Sequence, residues 1–109
     1  MTERWVRVCS LEATVRRPIL PVTVGGQQLI IVRDGEHLHA VERACPHEQA
    51  DLLEGRCSEG RLHCPRHAAA FDLRDGQASP GWSIRRLRLF PTAIVDGDVL
   101  VDAGQDTAG

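Results

Sequence analysis

Four residues with soft or borderline donor atoms stand in two short, matched groups, Cys45-Pro46-His47 and Cys64-Pro65-Arg66-His67. Each group offers one thiolate and one imidazole, and sixteen residues lie between them. Paired Cys and His at such spacing are a metal-site signature. The order is Cys-x-His then Cys-x-x-His, not Cys-x-x-Cys then His-x-x-His. That mixed order suits a cluster of two unlike irons, one held by two Cys and the other by two His. The competing reading is a zinc clip with the same ligands and no redox role, but the one-residue gap of Cys45-x-His47 is tighter than usual zinc-knuckle spacing.

The ligand types carry an electrostatic consequence. A ferric two-iron, two-sulfide core is dicationic. Two thiolates neutralise it and two neutral imidazoles add nothing, whereas four thiolates would leave a dianion. An electron enters a neutral centre more easily than a dianion, so the His pair raises the potential. Such a centre has no open coordination position, which points to electron transfer and not to substrate binding.

The rest of the chain must hold two loops at one tip. Its 109 residues fit one domain, expected over residues 1–102, with a small polar tail at 103–109. The formal net charge of -2 and the absence of a strongly basic half argue against nucleic acid as a partner. All thirteen basic residues are Arg, read as compositional bias and not as chemistry. No apolar run approaches membrane-spanning length, and Glu3, Arg4 and Arg7 leave no signal-peptide core. A soluble, cytoplasmic protein with reduced thiols is expected, so the four Cys serve as ligands or core residues, not disulfides.

Strand signals dominate. Trp5 to Cys9, Pro18 to Val24, Gln28 to Arg33 and His37 to Glu42 read as short strands, with turns at Gly25-Gly26 and Asp34-Gly35 and a polar connection over residues 10–14. Residues 50–53 suggest one helical turn, ended by Glu54-Gly55. Arg56 to Ser58 and Arg61 to Cys64 pair around Glu59-Gly60, and Ala70 to Leu73 leads to a turn at Asp75-Gly76. After the loop Ser79-Pro80-Gly81, Ile84 to Phe90 alternates Arg and apolar residues like a strand, and a hairpin turning at Asp96-Gly97 ends the fold. An antiparallel all-β domain is expected, with a cluster-binding part of two hairpin loops over about residues 43–81.

These residues resemble the Rieske [2Fe–2S] motif. Cys45-x-His47 and Cys64-x-x-His67 fit it, as do Leu53-x-Gly55, Phe71-Asp72-Leu73 and Gly76. The resemblance is close over about forty residues. It implies a Rieske-like antiparallel β-sandwich and one [2Fe–2S] cluster per chain. Cys45 and Cys64 would bind the inner iron, and His47 and His67 the outer, solvent-facing iron. Length makes the chain similar to a Rieske-type ferredoxin, the non-catalytic electron carrier of multicomponent bacterial oxygenases. The implied partners are a flavin-dependent ferredoxin reductase and a terminal oxygenase, docking transiently near His47 and His67 on a monomer. The alternatives are a small Rieske-like subunit of an NADH-dependent nitrite reductase and, in another class, a zinc-stabilised interaction module.

Departures from the family pattern matter too. High-potential members carry a loop-bridging disulfide and a Ser and Tyr that donate hydrogen bonds to cluster sulfur. Here Ala50 and Arg66 take the disulfide positions, and Ala69 and Phe71 the donor positions. Fewer donors leave the reduced charge less stabilised, so the potential is expected near the low end of the Rieske span, on the order of -150 mV. Gln49 and Ala68 stand where Gly is common, with local strain if φ is positive there. Cys57 is read as a small buried hydrophobe, Cys9 as a plain core or surface thiol, and His37, His39 and His63 as ordinary strand histidines. Arg85, Arg86 and Arg88 are read as a solvated strand face, and Trp82 either as a cover for the cluster or as a core residue.

Overall fold

The structure, a computed structural model, describes residues 5–46, 49–66 and 69–104. Among the described residues, ten strands form three antiparallel sheets. Strands β1 (Trp5–Ser10), β10 (Asp98–Asp102) and β9 (Thr92–Val95) make an outer sheet in the order β1-β10-β9. Strands β2 (Ile19–Val24), β3 (Gln27–Asp34), β4 (His37–Glu42) and β8 (Leu89–Phe90) make a central sheet in that order. Strands β5 (Arg56–Ser58), β6 (Arg61–His63) and β7 (Ala70–Asp72) make a small sheet.

The run Leu29-Ile30-Ile31-Val32 explains how the layers stack. A strand with one wet face alternates apolar and polar residues, whereas a strand covered on both faces is apolar throughout. Ile30 and Val32 enter one buried cluster with Val41, Leu52, Leu62, Phe71 and Leu87. Leu29 and Ile31 enter another with Ala40, Phe90, Val99 and Val101. The central sheet therefore separates two cores, one shared with the small sheet and one with the outer sheet. Cys9 lies in the second core, on the far side from Cys45 and Cys64. Pro21 sits in β2, a sheet-edge strand, as its missing N–H requires.

Several sequence expectations need correction. Residues 10–14 are not a plain connection, since Leu11–Arg16 is a helix, α1. Ser10 caps it by accepting from the Ala13 N–H at 3.2 Å, Thr14 Oγ1 donates to the Leu11 carbonyl at 2.6 Å, and Arg16 pairs with Glu12. Six residues are too few to show a helical period. Residues 84–88 are not a strand, and only Leu89–Phe90 joins the central sheet. Their backbone bonds go elsewhere: the Leu87 N–H donates to Gly76 O at 2.8 Å, and the Arg88 N–H donates to the Glu42 carboxylate at 2.7 Å. The β3–β4 turn is Gly35-Glu36, one residue later than expected, because Asp34 pairs with His37. The single helical turn is a 3-10 turn at Leu52–Glu54, capped by Asp51. The expected tail begins with a turn at Ala103-Gly104, and residues 105–109 lie outside the described residues.

Candidate metal centre

Strand β4 leads to Cys45 and strand β6 to Cys64, and the two loops that follow are closed by equivalent backbone bonds. The Cys45 N–H donates to the carbonyl of Ala50 at 2.8 Å, and the Cys64 N–H donates to the carbonyl of Ala69 at 3.1 Å. Each Cys thus closes its loop onto the residue five positions later. Both side chains are buried in the same apolar core, Cys45 at 0% and Cys64 at 4% exposure. Pro46 and Pro65 follow them, where no N–H is available to compete for the closing carbonyls.

Ion pairs and backbone contacts fix each loop at its base. Arg43 donates from Nε and Nη2 to both oxygens of Asp51, each at 2.9 Å, across the neck of the first loop. This fork-to-fork contact holds the Asp51 carboxyl below the usual range, while Asp51 also accepts from the Leu53 N–H. Gly55 lies against the strand leading to the second loop, and a Cβ there would fall on the carbonyl oxygen of His63. Gln49 adopts φ +63°, so the strain expected for a non-glycine residue is present, whereas Ala68 lies outside the described residues.

The third loop is tied to both neighbours. Ser79 exchanges two bonds with Ala70, donating its N–H to the Ala70 carbonyl and accepting the Ala70 N–H on Oγ. Downstream, Arg85 donates to both oxygens of Glu42 at 2.7 and 2.9 Å, and the Glu42 N–H donates to the Arg88 carbonyl. Arg85 is therefore an anchor and not a solvated strand residue, a role its sequence position did not reveal. Gly76 at φ +81° is the other close approach, since a Cβ would fall on the Leu87 carbonyl oxygen.

The sequence-derived site residues are thus partly placed. Cys45 and Cys64 meet in one core, while His47 and His67 lie outside the described residues. Among the described residues no group of three His, Cys, Asp or Glu side chains is arranged to hold a metal. Two buried thiols alone do not complete a centre, and the donor set fits an iron–sulfur cluster if the two histidines of the same loops supply the rest. Cys57 sits on β5 opposite Leu62, half-buried against the same core, with its thiol pushed up by burial and by Asp34. Burial likewise pushes up the Cys9 thiol. Neither is a poised nucleophile. His37 and His39 lie on β4 at the end away from the loops, beside Asp34, Glu59 and Asp72, and burial pulls the His39 pKa down. His63 lies on β6 opposite Arg56 and Ala70. Trp82 is half-buried on the third loop and, among the described residues, belongs to neither buried core.

Comparison with known proteins agrees with this geometry. The chain is 26% identical over 102 residues to the ferredoxin component of a naphthalene 1,2-dioxygenase system from Pseudomonas putida, covering 94% of this chain and 98% of that one. It is 38% identical over 82 residues to an anthranilate 1,2-dioxygenase ferredoxin subunit from Burkholderia cepacia, covering 74% and 76%. Among solved structures, the ferredoxin of carbazole 1,9a-dioxygenase from Nocardioides aromaticivorans IC177 superposes with a TM-score of 0.81 at 27% identity, over 91% of this chain and 97% of that one. A chain from a complex of reduced oxygenase and oxidised ferredoxin in carbazole 1,9a-dioxygenase gives 0.83 at 28% identity, over 96% and 97%. No described helix is long and apolar enough to cross a membrane. Residues 4–91 match the Rieske [2Fe-2S] domain, and with a match over most of its length the chain belongs to that family, carries a Rieske-type cluster and works as an electron carrier, not as an enzyme in its own right.

Proposed function

We propose that this chain shuttles single electrons from a flavin-dependent reductase to a terminal oxygenase, with Cys45 and Cys64 holding the inner iron and His47 and His67 the outer one. The observation that carries the reading is the pair of buried Cys at the bases of two loops closed by equivalent backbone bonds. The relatives named as dioxygenase ferredoxin components favour an oxygenase over a nitrite reductase as acceptor. When bound, the cluster supplies a one-electron couple whose charge alternates between zero and one negative.

The protein's own residues do the remaining work. Apolar side chains such as Leu52, Leu62, Phe71 and Leu87 keep water from the inner side of the site. The bonds from Cys45 and Cys64 to Ala50 and Ala69, with the Arg43–Asp51 clip, hold the loops in one shape. Fixed dipoles need little rearrangement when a charge arrives. Gln49, Pro65, Arg66, Pro80 and Gly81 are exposed around the loops, where a partner would touch. A small, transient contact area is expected of redox partners. Trp82 on the third loop would cover the rim.

Visible and EPR spectra of the anaerobically purified protein test the reading. A reddish-brown sample with acid-labile sulfide and the low average g-value of mixed Cys and His ligation is expected. Colourless protein containing zinc and no sulfide would overturn it in favour of a zinc-stabilised module.

A further inference from the structure

The charge of the molecule is unevenly placed. Residues 42–58, 62–70 and 77–90, which build the three loops and their bases, hold six Arg against four acids. The remaining residues hold seven Arg against eleven acids. A chain of net charge -2 therefore carries an excess of positive charge at its loop end and a larger negative excess elsewhere.

Two of the four acids of the loop end, Glu42 and Asp51, are taken up by Arg85 and Arg43 in bidentate pairs, which leaves the net excess unchanged. Arg56, Arg66 and Arg88 are exposed, and none makes an ion pair among the described residues. Their positions surround the Cys loops: Arg56 pairs with His63, which precedes Cys64, and Arg66 lies within the second loop. Arg88 lines a groove of about 410 Å³ with Arg43, Ala44 and Gln49 at the first loop.

We infer that this Arg collar is a docking surface for an acidic patch on the redox partner, so that the electron leaves through a positively charged rim. The inference rests on the electron-carrier reading above and adds the charge of the surface that carrier meets. Distance makes the local charge decisive. The molecule is 40 Å long, whereas the screening length is about 10 Å at 0.1 M salt. A partner at the loops therefore feels the collar and is screened from acids at the other end. Reduction adds one negative charge at the centre, which the collar outweighs.

Small outer-sphere oxidants read this charge without any partner protein. The chemically reduced, cluster-loaded protein passes one electron either to ferricyanide, a trianion that becomes ferrocyanide, or to tris(phenanthroline)cobalt(III), a trication that becomes cobalt(II). Rate constants are measured by stopped flow from about 0.05 to 0.5 M salt, where charge steering is progressively screened. The ferricyanide rate should fall roughly three- to ten-fold over that range and the cobalt rate should rise. An Arg56→Glu, Arg88→Glu double variant lies outside the Cys loops and should reverse both trends. Arg17→Glu with Arg61→Glu, the same net change away from the loops, should leave them in place. Flat or opposite salt trends in the unsubstituted protein would overturn the collar while leaving electron transfer intact. A protein that takes up no electron would instead defeat the carrier reading, and the collar's role with it.

Discussion

At the scale of single residues, His47 is a proposed ligand and Gln49 a strained backbone position. Replacing His47 by Cys exchanges a neutral ligand for an anion, and the proposed ligand set makes the potential fall as a result. Protein-film voltammetry should give a midpoint on the order of -150 mV for the unsubstituted chain and a clearly lower one for any His47→Cys protein that assembles. An unchanged midpoint would mean that His47 is not a ligand. Gln49 illustrates a different residue effect. Its φ of +63° is the left-handed conformation that side chains resist, and its N–H closes a bond to the Cys45 carbonyl at 2.8 Å. Gln49→Gly should relieve that strain and stabilise the fold by about 1 kcal/mol. A thermal melt followed by cluster absorbance should then move up by roughly 4–8 °C. No rise would mean that the Gln49 side chain makes compensating contacts.

At the scale of elements, the neighbours Glu42 and Arg43 at the end of β4 act in opposite directions. Arg43 clips the first Cys loop through Asp51, and Glu42 pins the segment behind the third loop through Arg85 and the Arg88 N–H. The second pairing could not be read from the chain, because Glu42 and Arg85 are 43 residues apart in sequence. Glu42→Gln keeps the shape and removes the charge. It should cost about 1–3 kcal/mol through its charge-assisted hydrogen bonds. Hydrogen exchange should quicken over residues 79–88 and remain slow in β3. Uniform loss of protection across both segments would show instead that Glu42 supports the whole fold and not the third loop.

At the scale of the whole molecule, stability should depend on pH in two acidic limbs. The Asp72 carboxyl is held down at about 2, first by the guanidinium of Arg74 and then by the Arg74 N–H. Its ordinary value is 3.8, so the stabilisation is full above that pH and is lost as pH falls from there toward 2. His39 is pulled below its ordinary 6.5 by burial, an effect that Asp34 partly offsets and His37 reinforces. The folded chain favours its neutral form, so that contribution is full above 6.5 and declines as pH falls. Denaturant midpoints measured from pH 7 to pH 2 should decline in both ranges. Asp72→Asn should shrink the lower decline, to which the lowered Asp51 carboxyl also contributes, and leave the upper one. An unchanged lower limb would assign acid unfolding to other carboxylates.

What the sequence determined by itself is chemistry and local pairing. Cys45, His47, Cys64 and His67 point to the proposed mixed-ligand set because donor type and short spacing are covalent facts. The hairpin turns at Gly25-Gly26, Glu59-Gly60 and Asp96-Gly97 are legible because few residues tolerate positive φ. Tertiary structure decided the rest. It made a helix of Leu11–Arg16, whose caps and single ion pair are too short-range to leave a periodic pattern. It denied a strand to residues 84–88, whose alternation was sound but whose backbone partners, Gly76 and Glu42, are remote in the chain. It also set Arg43, Arg56 and Arg88 beside the bases of the Cys loops in a chain of net charge -2. Net charge is a sum along the chain, whereas the potential that a partner meets depends on distance through space.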